Sequence, residues 1–122
     1  MELYEEKRKI FSLIINCEIS LWSPHYGPNE AVVPISNIVS LIEGLSRYRA
    51  KKALRGLISD GLIEYKSQGR PAVVSNGEYQ ELVYDAMPPI NGYALTKKAF
   101  QTEEWLKAKT EWNASMEEWA NG

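Results

Sequence analysis

Two short helical patterns, separated by a single glycine and closed by an alternating strand, constrain this chain more than any other stretch of it. Ser36 reads as the N-cap of a helix through Glu43, with apolar positions Ile38, Val39, Leu41 and Ile42, and Gly44 ends it. Two residues on, Ser46 is placed to cap a second helix. Ala50, Ala53, Leu54, Leu57 and Ile58 recur in that helix as a buried stripe, and Gly61 follows as its C′ stop. Leu62 to Lys66 then alternates apolar and polar residues, as a half-buried strand does. Helices this short are marginal alone, so the flanking chain must supply the surfaces they pack on.

The flanks carry the means to do so. Leu3, Ile10, Phe11, Ile14, Ile15, Cys17, Leu21 and Trp22 repeat with helical period and predict an N-terminal helix within 1–22. Ser23 to Glu30, rich in Pro and Gly, reads as a loop, and Ala31 to Ile35 as a short β-prone run. Lys66 to Pro71 reads as a polar turn. Ala72–Ser75 and Glu78–Tyr84 flank Asn76-Gly77, the dipeptide that favours a two-residue type I′ hairpin. Met87 to Gly92 forms a second breaker cluster, after which Tyr93 to Leu95 can return and pair with 62–66. Thr96 is then the expected cap of a helical region over 97–122, where Trp105, Trp112 and Trp119 recur every seven residues with Leu106, Ala108 and Met116 near the same side. With 122 residues, the whole is expected to be one domain.

Charge is distributed unevenly. The net charge is only −2, yet Ser46 to Arg70 holds Arg47, Arg49, Lys51, Lys52, Arg55, Lys66 and Arg70 against Asp60 and Glu64 alone. That window carries +5 and the remainder −7. The bland account of such a window is a solvated helix face. Other classes fare worse. The longest nearly apolar stretch, Ile10 to Trp22, is interrupted by Ser12, Asn16, Glu18 and Ser20 and falls short of a membrane span. Glu2, Glu5 and Glu6 stand where a secretory leader carries positive charge, so the expected location is the cytoplasm. One cysteine, Cys17, makes no internal disulfide, and one histidine, His25, makes no zinc set, so no metal and no cofactor is expected. No phosphate-binding glycine motif or nucleophile–base pair appears, and the chain is not expected to be an enzyme.

The order helix, short strand, helix, turn, helix, strand, hairpin, strand, helix is that of a winged helix-turn-helix domain. Ile38-Val39-Ser40-Leu41-Ile42-Glu43-Gly44-Leu45-Ser46 with Ala53-Leu54-Arg55-Gly56-Leu57-Ile58-Ser59-Asp60-Gly61-Leu62-Ile63-Glu64-Tyr65 resembles the helix-turn-helix and following strand of winged-helix transcriptional regulators. Gly92-Tyr93-Ala94-Leu95-Thr96-Lys97-Lys98-Ala99 is similar to the exit from the wing in those families, with Ala99 where a glycine is usual. The resemblance covers 31–100 and implies an α+β fold: a winged helix-turn-helix over 31–96 with an extended wing hairpin, flanked by N- and C-terminal helices.

At 100° per residue, the stripe of Ala50, Leu54, Leu57 and Ile58 leaves Tyr48, Lys52, Arg55 and Ser59 on the opposite face of the second helix. Arg49 and Arg55 are the expected base readers, since arginine donates two hydrogen bonds to guanine in the major groove. Arg47 and Lys51 lie nearer the edge, within reach of backbone phosphates, and the helix N-terminus at Ser46 favours a phosphate beside Tyr48. Gly69-Arg70-Pro71 resembles the core of an AT hook, which lays arginine in the minor groove. Gln68 replaces the arginine expected before the glycine, so a polar turn with Lys66, Gln68 and a phosphate-contacting Arg70 is the plainer reading. Trp105, Trp112, Met116 and Trp119 are expected to dimerise the chain or to pack within it. A small-molecule effector pocket among Cys17, Trp22 and Tyr26 is the lesser alternative, because aromatic stripes more often fill cores. Together these features predict a homodimeric regulator that binds double-stranded DNA. The alternative is a winged-helix module that binds protein, as an assembly or replication accessory.

Overall fold

A computed structural model describes residues 4–21, 31–75 and 77–121, with the backbone alone at 21, 69–75 and 81–87. Among the described residues the chain is α+β, with four α-helices and one two-stranded antiparallel hairpin. Helix α1 (Glu5–Leu21) lies at the centre: Ile10, Phe11, Ile14, Ile15 and Ile19 are all buried. Its near-continuous apolar second half is explained by this, because α3 and α4 both pack against it. His25, Trp22, Tyr26 and the loop 23–30 lie outside the described residues.

Helix α2 (Ile35–Leu41) starts earlier than Ser36 and ends before Glu43. Pro34, not Ser36, is its N-cap, because the fixed φ of −65° presets the turn and the Pro34 carbonyl accepts the amides of Asn37 and Ile38. Seven residues make less than two turns, so only Ile38 of α2 is fully buried, Ile35 and Val39 pack half-buried against the core, and Leu41 stands exposed. Gly44 then adopts φ 78° in the connection. Helix α3 (Arg47–Ser59) is capped by Ser46, whose hydroxyl accepts the Arg49 amide at 3.1 Å. Ala50, Ala53, Leu54 and Leu57 are buried. Ile58 is 41% exposed, a correction to the expected stripe, since it lies about a quarter turn from the centre of the other four. At the C-terminus Gly61, at φ 78°, donates to Ile58 and Leu62 donates to Leu57, the paired closure that a left-handed glycine allows.

The hairpin departs most from expectation. Strands β1 (Ile63–Ser75) and β2 (Gln80–Leu95) form one long ribbon, so neither Lys66–Pro71 nor Met87–Gly92 breaks the chain. Ile63 faces Leu95, Glu64 faces Ala94 and Tyr65 faces Tyr93, which is the expected pairing of 62–66 with 93–95. Further out, the register slips twice, so that seven steps of β2, from Ile90 to Val83, answer four of β1, from Gln68 to Ala72. These bulges lie where Pro71, Pro88 and Pro89 sit, and a two-stranded ribbon offers an outer edge on each strand where a missing amide costs no ladder bond. The tip spans four residues, 76–79, instead of two; Asn76 lies outside the described residues, and Gly77 has φ 85°. Among the residues whose side chains are described, Lys66, Ser67 and Gln68 on β1 and Gln80 and Pro88 to Asn91 on β2 are not buried. Ala31–Ile35 contributes a single bridge, Val33 to Tyr93, at the ribbon root.

Thr96 does not cap the final helix. It leads a 3-10 turn (Lys97–Gln101), and its hydroxyl donates to the Gly61 carbonyl at 2.5 Å, tying the ribbon root to the end of α3. Helix α4 (Glu103–Asn121) is capped by Thr102, whose hydroxyl accepts the Trp105 amide at 3.3 Å. Trp105 is buried edge-on against Phe100, with ring centroids 4.6 Å apart.

Candidate nucleic-acid interface

Helix α3 contains five basic residues and no acid. Its apolar stripe is held from behind by α1, α2 and the root of the hairpin, so the opposite face is presented on a rigid support. Arg47, Tyr48, Lys51, Lys52 and Arg55 are all exposed there, Tyr48 by 76%. Ser46 is used as the cap, which leaves the first-turn amides of Arg47 and Tyr48 at the open, positive end of the helix.

Arg49 is not part of that face. Its guanidinium is held by Glu6 of α1, with the Nε donating to the carboxylate at 2.7 Å and the Nη2 to the same oxygen. The cause is its position: Arg49 and Gly56 lie on the side of α3 turned to α1, where Lys7 crosses Gly56 to reach Asp60 at 2.6 Å. The expected base reader is thus an interhelical tie. Tyr48 and Lys52 line a shallow groove with Tyr4 and Glu6 at the start of α1.

The other flank meets the hairpin. Tyr65 and Tyr93 oppose each other in the ladder, their rings edge-on with centroids 5.2 Å apart, on the same face as Ile63 and Leu95. Burial pushes the Tyr93 hydroxyl above its ordinary range and Tyr65 adds to the rise, while the Arg55 and Arg47 guanidiniums oppose it. Arg47 and Arg55 therefore stand within electrostatic reach of the tyrosine pair. Sequence reasoning placed Tyr65 on the strand and Tyr93 opposite it, but did not join them to α3; the alternation in Ile63-Glu64-Tyr65 was the available signal. The same alternation puts Lys66 and Gln68 on the opposite face of the ladder, away from this patch. Arg70 sits on β1 opposite Met87, between the two register slips, and not in a turn.

The four residues expected to dimerise the chain also divide. Trp105 is spent in the core, whereas Trp112, Met116 and Trp119 are 42%, 46% and 78% exposed. Burial raises the Cys17 thiol above its ordinary range. Among the described residues, no three His, Cys, Asp or Glu side chains gather, and no helix is long and apolar enough to cross a membrane. No family model, no curated protein and no solved structure matches the chain.

Proposed function

We propose that this chain binds duplex DNA through the exposed face of α3, as a winged helix-turn-helix regulator of transcription. In this reading α2 and α3 form the helix-turn-helix and the β1–β2 ribbon is the wing. The observation that carries it is the acid-free face of Arg47, Lys51, Lys52 and Arg55, braced by a packed core in a chain that is otherwise acidic. A helix of this kind fits the major groove, where Arg55 donates to guanine and Lys51 and Lys52 meet phosphates. Tyr65 and Tyr93 extend the face onto the ribbon root.

Fluorescence anisotropy of a labelled duplex tests the assignment. Lys51→Ala/Lys52→Ala/Arg55→Ala is expected to weaken binding more than tenfold, on the order of 1.4 kcal/mol or greater. Arg55→Ala alone relaxes discrimination between sequences by about 1–3 kcal/mol, while Lys51→Ala weakens all duplexes alike. Arg49→Gln/Glu6→Gln, which removes the two paired charges together, leaves affinity nearly unchanged. No binding at low salt would transfer the reading to a protein-binding winged helix.

A further inference from the structure

Tyr65 is 60% exposed, although it stands on the core face of β1, one rung beyond the buried Ile63. Its ring meets that of Tyr93 edge-on, with centroids 5.2 Å apart. Tyr93 is pinned on both sides, by the ladder to β1 and by reciprocal backbone hydrogen bonds of 2.9 Å with Val33. The half-buried Tyr93 is therefore a fixed backing, against which Tyr65 is held with much of its surface open. A single exposed ring is ordinary in itself; what distinguishes Tyr65 is its surroundings. Helix α3 packs on β1, and the exposed Arg47 and Arg55 lie within electrostatic reach of the tyrosine pair. The nearest acid along the strand, Glu64, lies on the opposite face of the ladder.

An open ring beside arginines suits one feature of nucleic acid in particular. Inside a duplex every base is already stacked, so a ring meets base edges and phosphates there, and reaches a π face only by unstacking the helix. An unpaired base offers its face directly, and stacking on aromatic side chains beside positive charge is how single strands are held. The outer part of the ribbon limits such a contact to the root. Residues 71–91 contain Glu78, Glu81 and Asp85 and no Lys or Arg, so a strand that ran outward along the ribbon would be repelled. Tyr79, at the ribbon tip and 62% exposed, therefore lacks the basic setting that Tyr65 has.

We propose that Tyr65 stacks the first unpaired base where a duplex held on α3 gives way to a single strand, with Arg47 on the adjoining phosphate. The inference rests on the DNA reading of α3 and narrows it: the preferred partner is a duplex that carries an unpaired extension.

Anisotropy of the full chain with a labelled duplex, either blunt or carrying a short 5′ or 3′ oligothymidine overhang, tests it. An overhang is expected to tighten binding by about tenfold. An abasic overhang of the same length keeps the phosphates but removes the bases, and it gives no comparable increase. Tyr65→Leu brings the ratio of tailed to blunt affinity close to unity, whereas Tyr65→Trp preserves it, with circular dichroism to verify the fold of each. Tyr79→Leu also preserves the ratio, and Lys51→Ala weakens both duplexes without changing it. Equal affinity for blunt and tailed duplexes, an equal increase from the abasic overhang, a tail preference that survives Tyr65→Leu, or its loss in Tyr79→Leu would each overturn the inference while leaving α3 a duplex-binding face. Failure to bind any of these DNAs at low salt would instead overturn the DNA reading itself, and the inference with it.

Discussion

Gly44 and Gly92 are both glycine for physical reasons, and the reasons differ. At Gly44 the backbone is left-handed and a Cβ would meet nothing within 4 Å, so the demand is conformational and asparagine satisfies it nearly as well. At Gly92 a Cβ would fall 2.5 Å from the Val33 carbonyl oxygen, which is held by the backbone bridge between Val33 and Tyr93. Gly92→Ala must therefore push that bridge apart, at an expected cost of about 1–3 kcal/mol in urea unfolding. A loss within experimental error would mean that residues 31–34 do not close on the ribbon root. The tyrosine beside Gly92 reports on α3 as well. Arg55 is the larger of the two charges that restrain the rise of Tyr93, so Arg55→Ala moves Tyr93 ionisation to still higher pH. The folded state holds that proton more tightly than the unfolded chain, so the Tyr93 contribution to stability is complete below the ordinary tyrosine range and is lost as pH rises through the folded value. NMR titration of the Tyr93 ring checks this; an unchanged midpoint would separate Arg55 from the sheet.

At the scale of elements, caps decide where helices begin, and they separate what the sequence revealed from what it did not. Thr102 both accepts the Trp105 amide and donates to the Ala99 carbonyl at 2.6 Å, joining the 3-10 turn to α4. Thr102→Ala is expected to cost about 1 kcal/mol in thermal unfolding, whereas Ser36→Ala, inside the first turn of α2, costs almost nothing. Equal effects would contradict the observed boundaries. Helix α3 was legible from Ser46 to Gly61, because a cap, an apolar period and a left-handed stop all agreed. The start of α2 was not, because a serine in the first turn and a proline before it compete as starts, and backbone carbonyls decided it. The ribbon was misread because Gly69, Pro71, Pro88 and Pro89 are breakers only where a strand needs both edges. The basic face was visible as composition, but the loss of Arg49 to Glu6 depended on a contact 43 residues apart that no local period encodes.

For the whole molecule, the same uneven charge that marks α3 also limits how the chain can meet a polyanion. Outside Ser46 to Arg70 it carries −7, so the segment that contains α3 is where the chain concentrates its positive charge. With Arg49 neutralised, Arg47, Lys51, Lys52 and Arg55 remain as the cations of that side. With Arg55 on a base, the three phosphate contacts of Arg47, Lys51 and Lys52, each releasing about 0.9 counterion, give a slope of log affinity against log salt of roughly −2.7 per chain. Anisotropy titrations across a salt series read this number directly. Tight binding with a slope near zero would sink the assignment, because it would mean that the cations of α3 are not what holds the DNA.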